Sequence, residues 1–225
     1  MPHRLQTARL DALAVRAPGS SRPRHVECAV ALAGCGLERD RHLDPLSPRQ
    51  LLLASRQVYE SLSLPPHALR ENLLLELDTS QLASGTVLQV GPEVTLRLMF
   101  QCEACGQLDL QRPGLAASVG PHRGMLARVL TGGTMRTGDE VVVLEQRLPP
   151  WSDDWRERVV QVLDAVPSGL VVAYRDLARY AGIQSSYCRA FPRLLAKLGA
   201  PYAGRAVAAG AAPSLPRWNG AGLFD

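Results

Sequence analysis

Cys102 and Cys105 stand at the head of the most chemically loaded stretch of the chain, which runs from Phe100 to Val141 as FQCEACGQLDLQRPGLAASVGPHRGMLARVLTGGTMRTGDEV. Two soft sulfurs spaced C-x-x-C follow an apolar strand. A loop bearing glycine and arginine comes next, then a Gly-rich turn ending in Gly138-Asp139. A thiolate is a nucleophile and a ligand for soft metals, and it can carry a second sulfur as a persulfide. Backbone turns at this spacing are suited to holding a bulky anionic cofactor. Zinc asks for four protein ligands, and no second C-x-x-C or His pair completes a tetrahedral set; His122, Cys28 and Cys35 are distant in sequence. A thioredoxin-like motif opens a helix inside a βαβ unit, whereas these thiols follow a strand. Taken alone, the pair also reads as two packed cysteines without chemistry.

The elements that must position these thiols are strands. Leu10 to Val15, Val26 to Leu32, Thr86 to Val90, Val94 to Phe100 and Glu140 to Leu144 are short apolar or alternating runs, punctuated by Gly, Pro or Asn/Asp. Ser47-Pro48 reads as an N-cap and first helical residue. Leu51, Leu52, Ala54, Ser55, Val58, Tyr59 and Leu62 then predict one helix. Arg147-Leu148-Pro149-Pro150 is a stiff linker. Beyond it the texture turns helical: a stripe from Trp155 to Val166, an extended Leu170 to Ala173, a helix over 174–181 stopped by Gly182, and a third helix capped by Ser185-Ser186 and running to Leu198. Pro192 is acceptable there only as a kink or near the first turn. The expectation is an α+β protein: a β-barrel domain over 1–148, then a small winged helix-turn-helix domain over 149–225, its Ala/Gly/Pro-rich end either a degenerate wing or partly disordered.

Composition narrows the setting. At 225 residues and 46% hydrophobic the chain can bury one large or two small cores. No apolar run reaches the ~20 residues of a membrane span, and no secretory leader is legible. Five irregularly spaced cysteines predict free thiols and a reducing, cytoplasmic setting. Most of the formal charge of +4 is carried by the tail section, with nine Lys/Arg against six Asp/Glu from Trp151 onward and sixteen against fifteen before it. The tail is therefore the better partner for a polyanion. No P-loop or Rossmann fingerprint is present, so neither ATP nor NAD dependence is expected.

Several further motifs occur in fixed order: Gly34-x-Gly36-Leu37-x-x-Asp40-Arg41-His42; Arg70-Glu71-Asn72-Leu73; Leu82-x-x-Gly85-x-x-Leu88-x-Val90-Gly91; and, after Cys105, Arg123-Gly124 with Ala127-Arg128-Val129-Leu130-x-x-Gly133-x-x-x-x-Gly138-Asp139. Over residues 10–145 the set resembles the MOSC family, named for the C-terminal domain of molybdenum-cofactor sulfurases. The resemblance implies a small β-barrel that handles a molybdenum–pterin cofactor or a sulfur atom for it. It also brings the family's association with pyridoxal phosphate. Cys105 matches the family cysteine that ligates molybdenum or carries sulfur, and Cys102 is placed to act as co-ligand or resolving thiol. Arg123 and Arg128 are suited to a cofactor phosphate, since guanidinium reads phosphate oxygens in pairs; solvated surface arginine is the competing reading. Asp40 and His42 are candidates for the pocket lining or for a turn, and Asn72 for ligand contact or for fixing a turn. Arg39 departs from the pattern, standing where many relatives have glycine.

Residues 152–210 carry a second resemblance. Val162-Leu163-x-x-Val166-Pro167-x-Gly169-x-Val171-x-x-Tyr174-x-Asp176-Leu177-Ala178, Gly182 and Cys188-Arg189-Ala190 look like the DNA-binding module of O6-alkylguanine alkyltransferases and alkyltransferase-like proteins. The resemblance implies that Arg189 fills the gap left by a flipped base and that Tyr174 meets its phosphate, with Arg193 and Lys197 on the same helix. The family's Pro-Cys-His-Arg acceptor is replaced by Pro201-Tyr202-Ala203-Gly204-Arg205-Ala206-Val207, so alkyl transfer is not expected. Two readings follow. In one, the protein is a cofactor enzyme or sulfur carrier, reducing N-hydroxylated bases or transferring sulfur. In the other, it is a binding module in which the tail recognises modified DNA and the barrel is scaffold.

Overall fold

The computed structural model describes residues 4–20, 22–208, 210, 211 and 215–224. Its contacts divide the chain into two units, the first holding residues 1–45 and 49–151, the second 46–48 and 152–225. Among the described residues no helix is long and apolar enough to cross a membrane.

The first unit runs β1 (Arg4–Val15), β2 (Arg24–Val26), β3 (Cys28–Leu32), β4 (Gly36–Leu37), β5 (Leu51–Ser55), α1 (Arg56–Leu62), β6 (Leu73–Leu75), β7 (Thr86–Val90), β8 (Val94–Gln101), α2 (Leu115–Val119), β9 (Met125–Thr131), β10 (Gly133–Arg136) and β11 (Glu140–Arg147). Strands β11-β7-β8-β9-β5-β6-β1 form a ring that closes through β1–β11, with β2 added on β1. Closure leaves the ring without an open edge. All its pairings are antiparallel except β5–β6, which is parallel. Alternate residues point inward and pack together: Leu51 and Leu53, Leu88 and Val90, Leu96 and Leu98, Ala127 and Val129, Val141 and Val143. Burying each large aliphatic side chain contributes about 1.5–3 kcal/mol. A second apolar cluster lies outside the ring and joins Ala54, Val58, Tyr59, Ala68, Leu69 and Leu108.

Four sequence expectations change here. Leu51–Ser55 is strand, and the helix starts only at Arg56. Every residue of β5 is buried because both its faces are covered, Leu51 and Leu53 by the barrel core and Ala54 by the outer apolar cluster, so its leucines show no strand alternation. Val26–Leu32 is not one strand: β2 joins the barrel while β3 pairs with β10 and β4. The segment around Arg128 is strand β9 rather than loop, its charged side chain lying on the face opposite the core residues Ala127 and Val129. Leu73–Leu75, unassigned from sequence, is strand β6.

The second unit contains α3 (Trp155–Ala165), β12 (Val172–Ala173), α4 (Tyr174–Tyr180), α5 (Phe191–Leu198) and β13 (Ala206–Val207). Asp154 caps α3 by accepting from the Arg156 amide at 2.8 Å, with Glu157 in the first turn. Arg158, buried, ties the unit together by donating to the carbonyls of Ala181, Ser152 and Asp153. The single third helix expected from Ser185 is two pieces. Ser185–Ala190 is a 3₁₀ turn, and α5 begins at Phe191 with Pro192 in its first turn, where a missing N–H costs nothing. The wing also takes another form. Among the described residues after α5 the only strand is β13, which pairs with β12 in parallel rather than folding into an antiparallel hairpin.

Candidate functional site

The thiol loop leaves the barrel at the end of β8 and is pinned at once, the Cys102 amide donating to the Gly124 carbonyl at 2.8 Å. Gly124 sits at φ +124°, and a Cβ there would lie 2.1 Å from the Leu53 carbonyl oxygen. Only glycine lets β9 start this close to β5. Cys102 is buried and Cys105 half-buried. Arg123, itself buried, holds the loop from one side: its Nη1 donates to the Glu103 carbonyl at 2.6 Å and to Cys105 Sγ at 3.3 Å. Arg70 holds the other side, Nη1 donating to Gln107 Oε1. Ala104 and Leu108 pack the loop onto the outer apolar cluster.

Arginines converge around this sulfur. Burial, then the charge of Arg70, with further repulsion from Arg41 and Arg123, pushes the Arg16 guanidinium down to about 10 despite the opposing pull of Asp40. Burial and the charges of Arg123 and Arg41 push Arg70 down as well, with Cys105 pulling the other way. Like charges that repel one another in this way make a local field that favours an anion. The Nε atoms of Arg16 and Arg123 are buried without a hydrogen-bond partner. Oxygen atoms of a phosphate or other oxyanion would complete them.

Asp40, His42 and Asn72 meet beneath Arg16. Asp40 Oδ2 accepts from the Arg16 amide and from Asn72 Nδ2, both at 2.9 Å; Oδ1 accepts from the His42 amide at 2.8 Å and faces His42 Nδ1 at 3.2 Å. Arg16 Nη2 lies 3.2 Å from the same His42 nitrogen. Burial works against the Asp40 charge, but these hydrogen bonds outweigh it and hold the carboxyl below its usual range. Asn72 spans three elements: Nδ2 also donates to the Ala14 carbonyl at 3.1 Å, and Oδ1 accepts from the Leu52 amide at 3.1 Å. Its geometry is that of a strut that seats Asp40.

Arg128 goes elsewhere. It is buried, and its guanidinium donates to the carbonyls of Pro45 and Gly34 at 3.1 and 3.2 Å, closing the loop between them. Arg189, Arg193 and Lys197 lie in the second unit and are exposed, Arg189 on the 3₁₀ turn and the other two on α5. Tyr174 packs edge-on against Phe191, with ring centroids 5.6 Å apart. The chain has one lysine, Lys197. The barrel therefore offers no amine for a Schiff base, and the association with pyridoxal phosphate finds no footing in it. Among the described residues no group of three His, Cys, Asp or Glu side chains is placed to hold a metal ion. Arg16, Arg41 and Arg70 escaped the sequence reading as site residues. Arg41 and Arg70 stood inside quoted motifs beside acidic residues; nothing local marks Arg16.

Comparisons with known proteins agree on the barrel. Residues 41–142, a little under half of the chain, match the MOSC domain family, whose members are associated with molybdenum-cofactor binding. Among solved structures, the chain is similar to YiiM from Geobacillus stearothermophilus (TM-score 0.53, 16% identity, covering 84% of this chain and 99% of that one). It is similar to the YuaD protein from Bacillus subtilis (TM-score 0.52, 20% identity, covering 64% and 98%). YiiM from Escherichia coli stands beside them (TM-score 0.50, 17% identity, covering 85% and 94%). At these identities the likeness is one of fold. No curated protein matches the sequence.

Proposed function

We propose that the barrel of this chain binds a molybdenum–pterin cofactor beside Cys105 and uses that thiol as metal ligand or sulfur carrier in an oxidoreductase or sulfur-transfer reaction. The observation that carries the reading is the pairing of Arg123 Nη1 with Cys105 Sγ at 3.3 Å inside a cluster of arginines. A thiol that ligates or carries sulfur needs charge-stabilising donors, and an anionic cofactor needs cations whose donors are not already spent. The unpartnered Nε atoms of Arg16 and Arg123 meet the second need.

When bound, the cofactor supplies two-electron redox chemistry at its metal. Cys105 contributes the sulfur. Arg123 fixes that sulfur's direction while Arg16, Arg41 and Arg70 neutralise the anionic portion. Cys102, buried and bonded through its amide to Gly124, anchors the loop and stands three residues from Cys105 as the candidate co-ligand or resolving thiol. With no cluster of protein metal ligands among the described residues, a metal here would arrive with most of its ligands supplied by the cofactor. An N-hydroxylated base or related compound is the substrate class proposed on the strength of the family resemblance.

DNA is left outside the proposal. The base-gap role for Arg189 wants a residue carried on an inserted helix, and here it sits on a 3₁₀ turn, with no hairpin wing among the described residues. Metal and pterin analysis tests the whole reading, using protein from a host that makes the cofactor. Near-stoichiometric molybdenum in wild type and its loss in Cys105→Ser support it; absence of molybdenum and pterin from both sinks it.

A further inference from the structure

The turn that carries Arg70 into the site is built against conformational preference. His67 and Arg70 both lie in the left-handed region, at φ +59° and +63°, without being glycine. Such residues persist only where surrounding contacts over-determine them. The contacts here converge on one carboxylate. Glu71 is 2% exposed; its Oε2 accepts from the Tyr59 hydroxyl at 2.5 Å, and its Oε1 faces His67 Nδ1 at 3.1 Å. The Tyr59 oxygen in turn accepts from the Leu69 amide at 3.1 Å, and the Arg70 amide donates to the His67 carbonyl at 2.9 Å. Burial first, and the Glu71 charge beside it, push the Tyr59 hydroxyl far up, so it remains a proton donor.

We infer that Tyr59, Glu71 and His67 form a clamp that positions Arg70, and through Arg70 and Gln107 sets the position and electrostatic field of Cys105. The inference rests on the reading of Cys105 and its arginines as the functional site. None of the three clamp residues is bonded to Cys105; they are positioning residues. Two features favour this role over plain stabilisation. The strained backbone lies at the residue whose guanidinium reaches the thiol loop rather than in a neutral turn. The clamp and the thiol loop also share one apolar cluster, Tyr59, Ala68 and Leu69 packing with Leu108, so a shift in one is felt in the other.

The field at Cys105 can be read without cofactor. Iodoacetate is anionic and iodoacetamide neutral, and the ratio of their alkylation rates at one sulfur reports local positive charge while the thiolate fraction cancels. Measured by peptide mass spectrometry on the full chain, with exposed Cys28 as internal reference, the ratio at Cys105 is expected to exceed that at Cys28. Tyr59→Phe should lower it roughly threefold or more, as should Arg70→Gly, which removes the charge outright. His67→Gly guards against misfolding, since glycine accepts the left-handed backbone; it too should lower the ratio while the protein stays folded. An unchanged ratio in folded Tyr59→Phe and His67→Gly overturns the clamp, and so does an unchanged ratio in Arg70→Gly. Loss of the ratio in these variants, in a wild type that never takes up molybdenum, would leave the clamp standing and remove the cofactor. A loaded wild type with unmoved ratios would do the reverse.

Discussion

Asn72 Nδ2 donates to Asp40 Oδ2 across 2.9 Å, and both side chains are almost wholly buried. That bond joins the start of β6 to the loop after β4. The same amide group serves Ala14 and Leu52, so β1 and β5 are tied to it as well.

Asn72→Leu therefore takes one donor from the buried Asp40 carboxylate, which keeps the Arg16 and His42 amides, and removes the partner of the Ala14 carbonyl and of the Leu52 amide. A loss of about 3 kcal/mol or more is expected in urea unfolding. Asn72→Asp should cost more than Asn72→Leu despite its similar shape, because it sets a second carboxylate against Asp40. Equal losses would show that the missing donor accounts for the whole cost and that the second carboxylate adds nothing.

Asp40 gives the fold a signature in acid. Its folded carboxyl titrates below its unfolded value of about 3.9, so the stabilisation is complete above that pH and is lost as pH falls through the lower, folded value. Wild type and Asp40→Asn should differ in unfolding free energy by a constant amount from pH 5 to 7. The gap should narrow only below about pH 4. A gap that grows on acidification would contradict the assignment.

Gly124→Ala puts a methyl group 2.1 Å from the Leu53 carbonyl oxygen at a backbone angle that alanine resists. A penalty of about 3 kcal/mol or more is expected. Because the Gly124 carbonyl also anchors Cys102, any folded fraction should alkylate faster at Cys102, which is buried in the parent protein. Thermal melts with cysteine mapping check both parts.

Arg39 stands exposed at φ +62°. Arg39→Gly removes left-handed strain against a smaller loss of unfolded-state order, so a gain of about 0.5–1 kcal/mol is expected. Arg39→Val should destabilise instead. Melting temperatures in opposite directions from wild type are the readout.

The parts of this protein legible in its sequence are those with a local cause. Thr86–Val90, Val94–Phe100 and Glu140–Leu144 are strands because they alternate or run apolar between turn residues, and they were readable as such. Leu51–Ser55 was not, since a strand buried on both faces shows the same continuous leucines as a core helix. Met125–Thr131 hid behind Arg128, whose charge suggests a loop until the chain folds and its guanidinium finds the Pro45 and Gly34 carbonyls. The site divides the same way. Cys105 and Arg123 entered as candidates through the family resemblance, and the fold brings Arg123 Nη1 to 3.3 Å from Cys105 Sγ. Arg16, Arg41 and Arg70 come from three further segments, and their convergence is a property of barrel closure that no window of sequence contains.

Parallel pairing of β5 with β6 has a consequence for how the site comes into being. The chain must leave the end of one strand and travel back to the start of the other before they can pair, and that return path is α1 together with the turn bearing His67, Arg70 and Glu71. The crossover thus supplies the Arg70 side of the thiol loop's surroundings. That side has no existence before the ring closes, and closing a parallel pair is among the slower steps a chain of this size takes. The amides of Leu69 and Asn72 should then exchange with solvent only when the whole barrel opens, making the youngest part of the fold also its most protected.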